Sequence, residues 1–115
     1  MKTSEILMKA LDIIDVPGQW TKGAMAKDMM GNEVFPDDTN ACKWCSIGAL
    51  GSIFVGGELF TTEHNSARSI LKSSAKFVYG TSISSLNDAS KTPFDEEISE
   101  MWLGAIFCAL ADETV

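Results

Sequence analysis

From Met101 to Ala111 the chain runs through Met-Trp-Leu-Gly-Ala-Ile-Phe-Cys-Ala-Leu-Ala without one polar side chain. As an α-helix such a stretch rises about 16 Å, roughly half of a bilayer core, so it suits a buried helix and falls short of a membrane span. Apolar residues cover the whole circumference, which places the helix either at the centre of the fold or against a partner. With 115 residues, the chain reads as a single domain, residues 1–115, able to bury about two thirds of its unfolded surface without disulfide or metal.

Helical periodicity governs most of the remainder. Ile6, Leu7, Ala10, Leu11 and Ile14 share one face of a first helix over 4–15, which Pro17-Gly18 ends. Between Trp20 and Phe35 the pattern breaks, and Asp28 to Asn32 reads as a turn between two short strands, giving a small β-hairpin. Asp38 or Thr39 then offers a cap for a second long helix, from about 40 to 55, that Gly56-Gly57 stops. Gly48 and Gly51 within it imply a tight helix crossing. A third helix runs from Thr61 or Thr62 to Tyr79, with Ala67, Ile70, Leu71, Ala75 and Val78 inside and Gly80 as its stop. Residues 81–92 are rich in turn formers and read as the main loop. Thr92 as cap and Pro93 at the first helical position open the last helix, whose stripe includes Phe94, Ile98, Trp102, Ile106 and Leu110. The expected fold is therefore mainly α: one compact domain of four principal helices, with a hairpin between the first two.

A net charge of −7, from 9 Lys+Arg against 16 Asp+Glu, argues against duplex nucleic acid as a partner. The interrupted apolar pattern after the N-terminus and an odd count of three cysteines point to a cytoplasmic protein with free thiols and no membrane association. Cys42, Cys45, Cys108 and the single histidine, His64, would together supply a Cys₃His zinc site or a thiol nucleophile with its base. Their spacing instead favours buried thiols, and the redox reading of Cys42-Lys43-Trp44-Cys45 lacks a βαβ context. Asp95, Glu96 and Glu97 read as helix-end charges before they read as an acid/base pair. Neither nucleotide fingerprint is present. We expect no catalytic residue, metal or cofactor.

One looser constellation remains. Trp20 could stack a base, Lys22 or Arg68 could neutralise phosphate, and Asp28, Asn87 and Asp88 could read polar edges, a ligand-binding set for a small nucleotide-like molecule. The structural alternative is that Asn87-Asp88 forms an Asx-turn or cap and that Trp20 and Trp44 are core.

The order Trp20-Thr21-Lys22-Gly23-Ala24, Asp28 with Gly31, Pro36-Asp37-Asp38, Trp44-Cys45-Ser46-Ile47-Gly48-Ala49-Leu50 and Asn87-Asp88 before a Thr-Pro helix start resembles a small uncharacterised domain family. That family, of unknown function, occurs in bacteria, actinobacteria especially, and in their phages. The similarity spans nearly the whole chain; one departure is Leu86, where the family often has tryptophan. The resemblance implies a bacterial or phage cytosolic setting and no particular chemistry. By analogy with small phage proteins, the expected function is non-catalytic sequestration of a host signalling nucleotide by a homo-oligomer. The alternatives are an interaction module that modulates a host protein through the last helix (Met101, Leu103, Phe107, Cys108), and a thiol- or zinc-dependent hydrolase.

Overall fold

The computed structural model describes residues 2–53, 62–92 and 95–113. Among them stand five helices, α1 (Thr3–Ile14), α2 (Ser46–Ser52), α3 (Thr62–Tyr79), α4 (Ile83–Ala89) and α5 (Glu96–Glu113), and two short strands, β1 (Ala26–Lys27) and β2 (Lys43–Trp44). The fold is mainly α, as the periodicity requires, with a two-stranded antiparallel sheet between α1 and α2.

The core forms where the apolar stripes meet. Ile6, Leu7, Ala10 and Ile14 of α1 pack with Ala49 and Leu50 of α2, Ala67, Leu71 and Ala75 of α3, Ile83 and Leu86 of α4, and Ile98, Met101, Trp102, Ala105, Ile106 and Ala109 of α5. α3 and α5 lie antiparallel, Tyr79 beside Glu100 and Ser74 beside Met101. Gly80 adopts φ +64°, the left-handed conformation that ends α3, and its N–H reaches the Lys76 carbonyl.

Five expectations need correction. The Asp28 to Asn32 turn forms, but β1 takes its regular antiparallel partner from Lys43–Trp44, while Lys27 makes only an isolated bridge to Glu33. Residues 40–45 are consequently not helical: the N–H groups of Cys42, Trp44 and Cys45 donate to the carbonyls of Lys27, Gln19 and Met25, and α2 starts only at Ser46. Asp38 caps a local turn, accepting from Asn40 N–H. Residues 81–92 contain α4, capped by the Ser82 hydroxyl, which accepts from Ser85 N–H. Ile83, Leu86, Asn87 and Ser90 face inward, a helical spacing hidden by the serines between them. At the last helix the cap position belongs to Asp95: its carbonyl accepts from Ser99 N–H, and its carboxylate accepts from Lys91 N–H and the Thr92 hydroxyl. These bonds hold the Asp95 carboxyl below its usual range. Ile70 is only half-buried and Val78 is exposed, so the inner stripe of α3 is narrower than expected. The Gly56-Gly57 stop, the Thr61 cap, Pro93 and Phe94 lie outside the described residues.

The two chain ends are tied by Glu113, whose carboxylate accepts from the Ser4 hydroxyl at 2.6 Å and the Ser4 N–H at 3.0 Å. The hydroxyl bond first, then the backbone bond, lowers the Glu113 pKa from its ordinary 4.5. A depressed folded-state pKa contributes stability that is complete above the unfolded value and is lost as pH falls through the folded one. The stability advantage of the wild type over Glu113→Gln should therefore be full at neutral pH and shrink below about 4.5. Urea midpoints of both chains across that range check this; a difference independent of pH would mean the Ser4 bonds do not favour the ionised carboxylate.

Candidate functional site

Three segments distant in sequence converge on Asn87: the loop after α1, the junction of β2 with α2, and α4. The Asn87 Oδ1 accepts from the Trp20 indole N–H at 2.9 Å, from Ser46 N–H at 3.0 Å and from the Ser46 hydroxyl at 2.7 Å. Its Nδ2 donates to the Thr21 carbonyl at 3.0 Å, which fixes the orientation of the amide. The neighbouring Asp88 accepts through Oδ1 from Gly23 N–H at 3.0 Å, and its backbone carbonyl accepts from Lys22 Nζ at 3.3 Å. Lys22 Nζ also stands 5.8 Å from the Trp20 ring centroid, within cation–π range. Trp20 is held in place by backbone bonds on either side, Trp44 N–H to Gln19 carbonyl and Thr21 N–H to Trp44 carbonyl.

Four of the six candidate ligand-binding residues, Trp20, Lys22, Asn87 and Asp88, are thus brought together. Asp28 and Arg68 take no part in the bonds that hold this cluster. Asp28 Oδ1 accepts from Met30 and Asn32 N–H groups within its own turn. Arg68, half-buried on α3, has a buried Nε without a hydrogen-bond partner among the described residues. Asn87 is only 1% exposed and all its polar capacity is directed into the protein. It therefore ties α4 to the α1–α2 connection; Asp88 is exposed, Lys22 is half-buried, and Trp20 is half-buried and packed against the core. Leu86 is buried in the core.

The cysteines do not converge. Cys45 caps α2, its sulfur accepting from Gly48 N–H at 3.4 Å, and burial pushes its thiol pKa up against the opposing pull of that bond. Such a thiol is a weaker source of thiolate than a free one at neutral pH. Cys42 is half-buried and Cys108 lies exposed on α5. Among the described residues no three His, Cys, Asp or Glu side chains are grouped to hold a metal ion, and the His64 side chain lies outside the description.

Two grooves add to the apolar face expected on the last helix. A groove of about 590 Å³ runs between α3 and α5, lined by Ser69, Ile70, Ser73, Phe77, Gly104 and Cys108 among others, none of them charged. Beside it, the outward positions of α5 from 103 to 111 are Leu103, Gly104, Phe107, Cys108, Leu110 and Ala111, all without a polar side-chain group save the Cys108 thiol. Met101, expected on this face, is buried instead. Phe77 on α3 extends the apolar surface; the signal for it was the arc left free once Ala67, Leu71 and Ala75 define the inner stripe. A second groove of about 490 Å³ lies under the hairpin, between Met25, Glu33, Val34, Phe35, Pro36 and Asp38. No helix among the described residues is long and apolar enough to cross a membrane.

Comparison with known proteins yields no match among curated proteins and none among solved structures. A family model does match, over residues 1–98, and with them all four residues that meet around Asn87. The chain belongs to a family of unknown function, DUF6197.

Proposed function

We propose that the chain is a non-catalytic interaction module that works by apolar contact with another protein through the outer face of α5. The observation behind this reading is the absence of charge or amide from every outward position between 103 and 111, with Phe107 67% and Phe77 91% exposed. A helix that is apolar all round is normally covered on every side, and a soluble chain that leaves one such side open has a contact to make there. The surface lacks charged groups, so the matching partner surface is itself apolar and helix-sized, seated by the helix-in-groove mode. The phage-encoded, cytoplasmic setting belongs to the same proposal, and modulation of a host protein would follow only where a host protein is the occupant of this face.

A photo-crosslinking amino acid placed at Phe107 should give discrete protein adducts in cells, whereas one at Lys72, exposed on α3, should give none. Absence of adducts from position 107, or equal yields from both positions, would overturn the reading. Sequestration of a small nucleotide-like ligand is the second reading, favoured by one observation, the Lys22 ammonium held over the Trp20 ring. In that role Asn87 would have to give up bonds it makes within the protein, leaving Trp20, Lys22 and Asp88 to meet the ligand. A chain that takes up nucleotide yet gives no adduct at position 107 favours it.

A further inference from the structure

Resting on the contact face just described, we infer that its occupant is a second copy of this chain, joined through α5 about a two-fold axis near Phe107. Two observations select this partner. The first is charge: the acidic residues of α5, Glu96, Glu97, Glu100, Asp112 and Glu113, stand at its two ends, and the stretch between 101 and 111 has none. A partner recognised by ionic pairing would find nothing to pair with there, while an identical neutral face meets it without opposing charges at the centre. Helices crossing at an angle carry their acidic ends apart.

The second observation is area. With Phe77 at 91%, Phe107 at 67%, Leu103 at 48% and Leu110 at 37% exposure, plus Val78, Cys108 and Ala111, each copy offers about 600 Å² of apolar surface. Full coverage in a pair would bury at most about 1,200 Å², which reaches the lower bound for a specific interface. Gly104 is set against α3, where a Cβ would meet the Ser74 hydroxyl oxygen at 2.9 Å, while Cys108 and Ala111 lie exposed alongside Leu103, Phe107 and Leu110. An isologous contact of this kind repeats every interaction twice, which doubles the effect of any substitution within it.

The contact is apolar while each whole chain carries −7, so like-charge repulsion opposes association and salt relieves it. Between about 0.1 M and about 1 M salt the screening length falls from about 10 Å to about 3 Å, and the dimer should tighten, the opposite of an ionic interface.

Sedimentation equilibrium of the full chain over a concentration series tests the inference. The expected result is a monomer–dimer equilibrium whose dissociation constant falls with added salt. Phe107→Glu, exposed in the monomer and so compatible with folding, should weaken it at least about tenfold by placing two like charges at the axis. A short bis-maleimide should join two copies through Cys108, and Cys108→Ser should abolish that product. A monomer at every concentration overturns the inference, as does a dimer indifferent to Phe107→Glu. If the monomeric chain still forms adducts from position 107 with a different protein, the interaction reading survives without the second copy. Failure of both experiments removes both.

Discussion

Asn87→Ala should destabilise the protein by about 3 kcal/mol or more, far beyond what one lost hydrogen bond costs. Its Oδ1 is the acceptor for three donors, the Trp20 indole and both the amide and hydroxyl of Ser46, and its Nδ2 satisfies the Thr21 carbonyl. Removing the shared partner strands the donors; a buried donor left without an acceptor forfeits about 1–3 kcal/mol. The Ser46 hydroxyl can rotate and the half-buried Trp20 can reach water, so the full sum is not realised, but Ser46 N–H is fixed by the start of α2. Trp20→Phe provides the contrast. It deletes a donor and leaves the Asn87 acceptor two others, so its hydrogen-bond cost should be about 1 kcal/mol. Urea denaturation of the two variants decides the matter: if Asn87→Ala costs no more than Trp20→Phe, water replaces the amide and Asn87 is not the hub. Because the outer face of α5 is not part of the Asn87 cluster, self-association of Asn87→Ala should persist wherever it remains folded.

This same residue shows how far the sequence could be read. Trp20, Lys22, Asn87 and Asp88 stand out as polar and aromatic residues that regular packing does not demand, and the chain does bring them together. Their role could not be read, because one oxygen accepting from residues 41 and 67 positions away is a property of the folded chain only. Elements defined by their own periodicity, α1 and α3, were legible to within a residue or so, since their stripes need no distant partner to be recognised. β2 was not: its segment carries helix-like apolar spacing, and three carbonyls elsewhere in the chain, on Lys27, Gln19 and Met25, claim its amides. α4 has the right spacing at Ile83, Leu86, Asn87 and Ser90, but serine's preference for turns outweighed a stripe only seven residues long. On α5 the all-round apolarity was plain, yet which arc faces out depends on where α3 packs, and that brought Phe77 into the contact face and took Met101 out of it.

Gly48→Ala should cost about 3 kcal/mol or more, although alanine is the better helix former by about 1 kcal/mol at an ordinary helical position. A Cβ at residue 48 would fall 1.7 Å from the Met25 carbonyl oxygen, 2.7 Å from its carbon and 3.2 Å from its Cα. These are backbone atoms and cannot rotate aside. Moving the Met25 loop outward breaks the bond from Cys45 N–H to the Met25 carbonyl, and with it the adjacent pairing of Ala26 with Trp44. Moving α2 instead displaces Ala49 and Leu50 from the core. Neither relief is local, so the penalty lies at or above the usual range for overpacking, and the melting temperature should fall by more than about 10 °C. Gly51→Ala in the same short helix is the internal control. Among the described residues its Cβ would meet only the Pro36 ring, at 3.2 and 3.3 Å, where a few tenths of an ångström suffice, so propensity and crowding should nearly cancel. Equal melting temperatures for the two variants would show that α2 and the Met25 loop do not approach so closely. The glycine of the Trp44-Cys45-Ser46-Ile47-Gly48-Ala49-Leu50 segment is thereby explained by backbone contact: it lets the loop carrying Trp20, Lys22 and Gly23 lie against α2, where Asn87 and Asp88 can hold it.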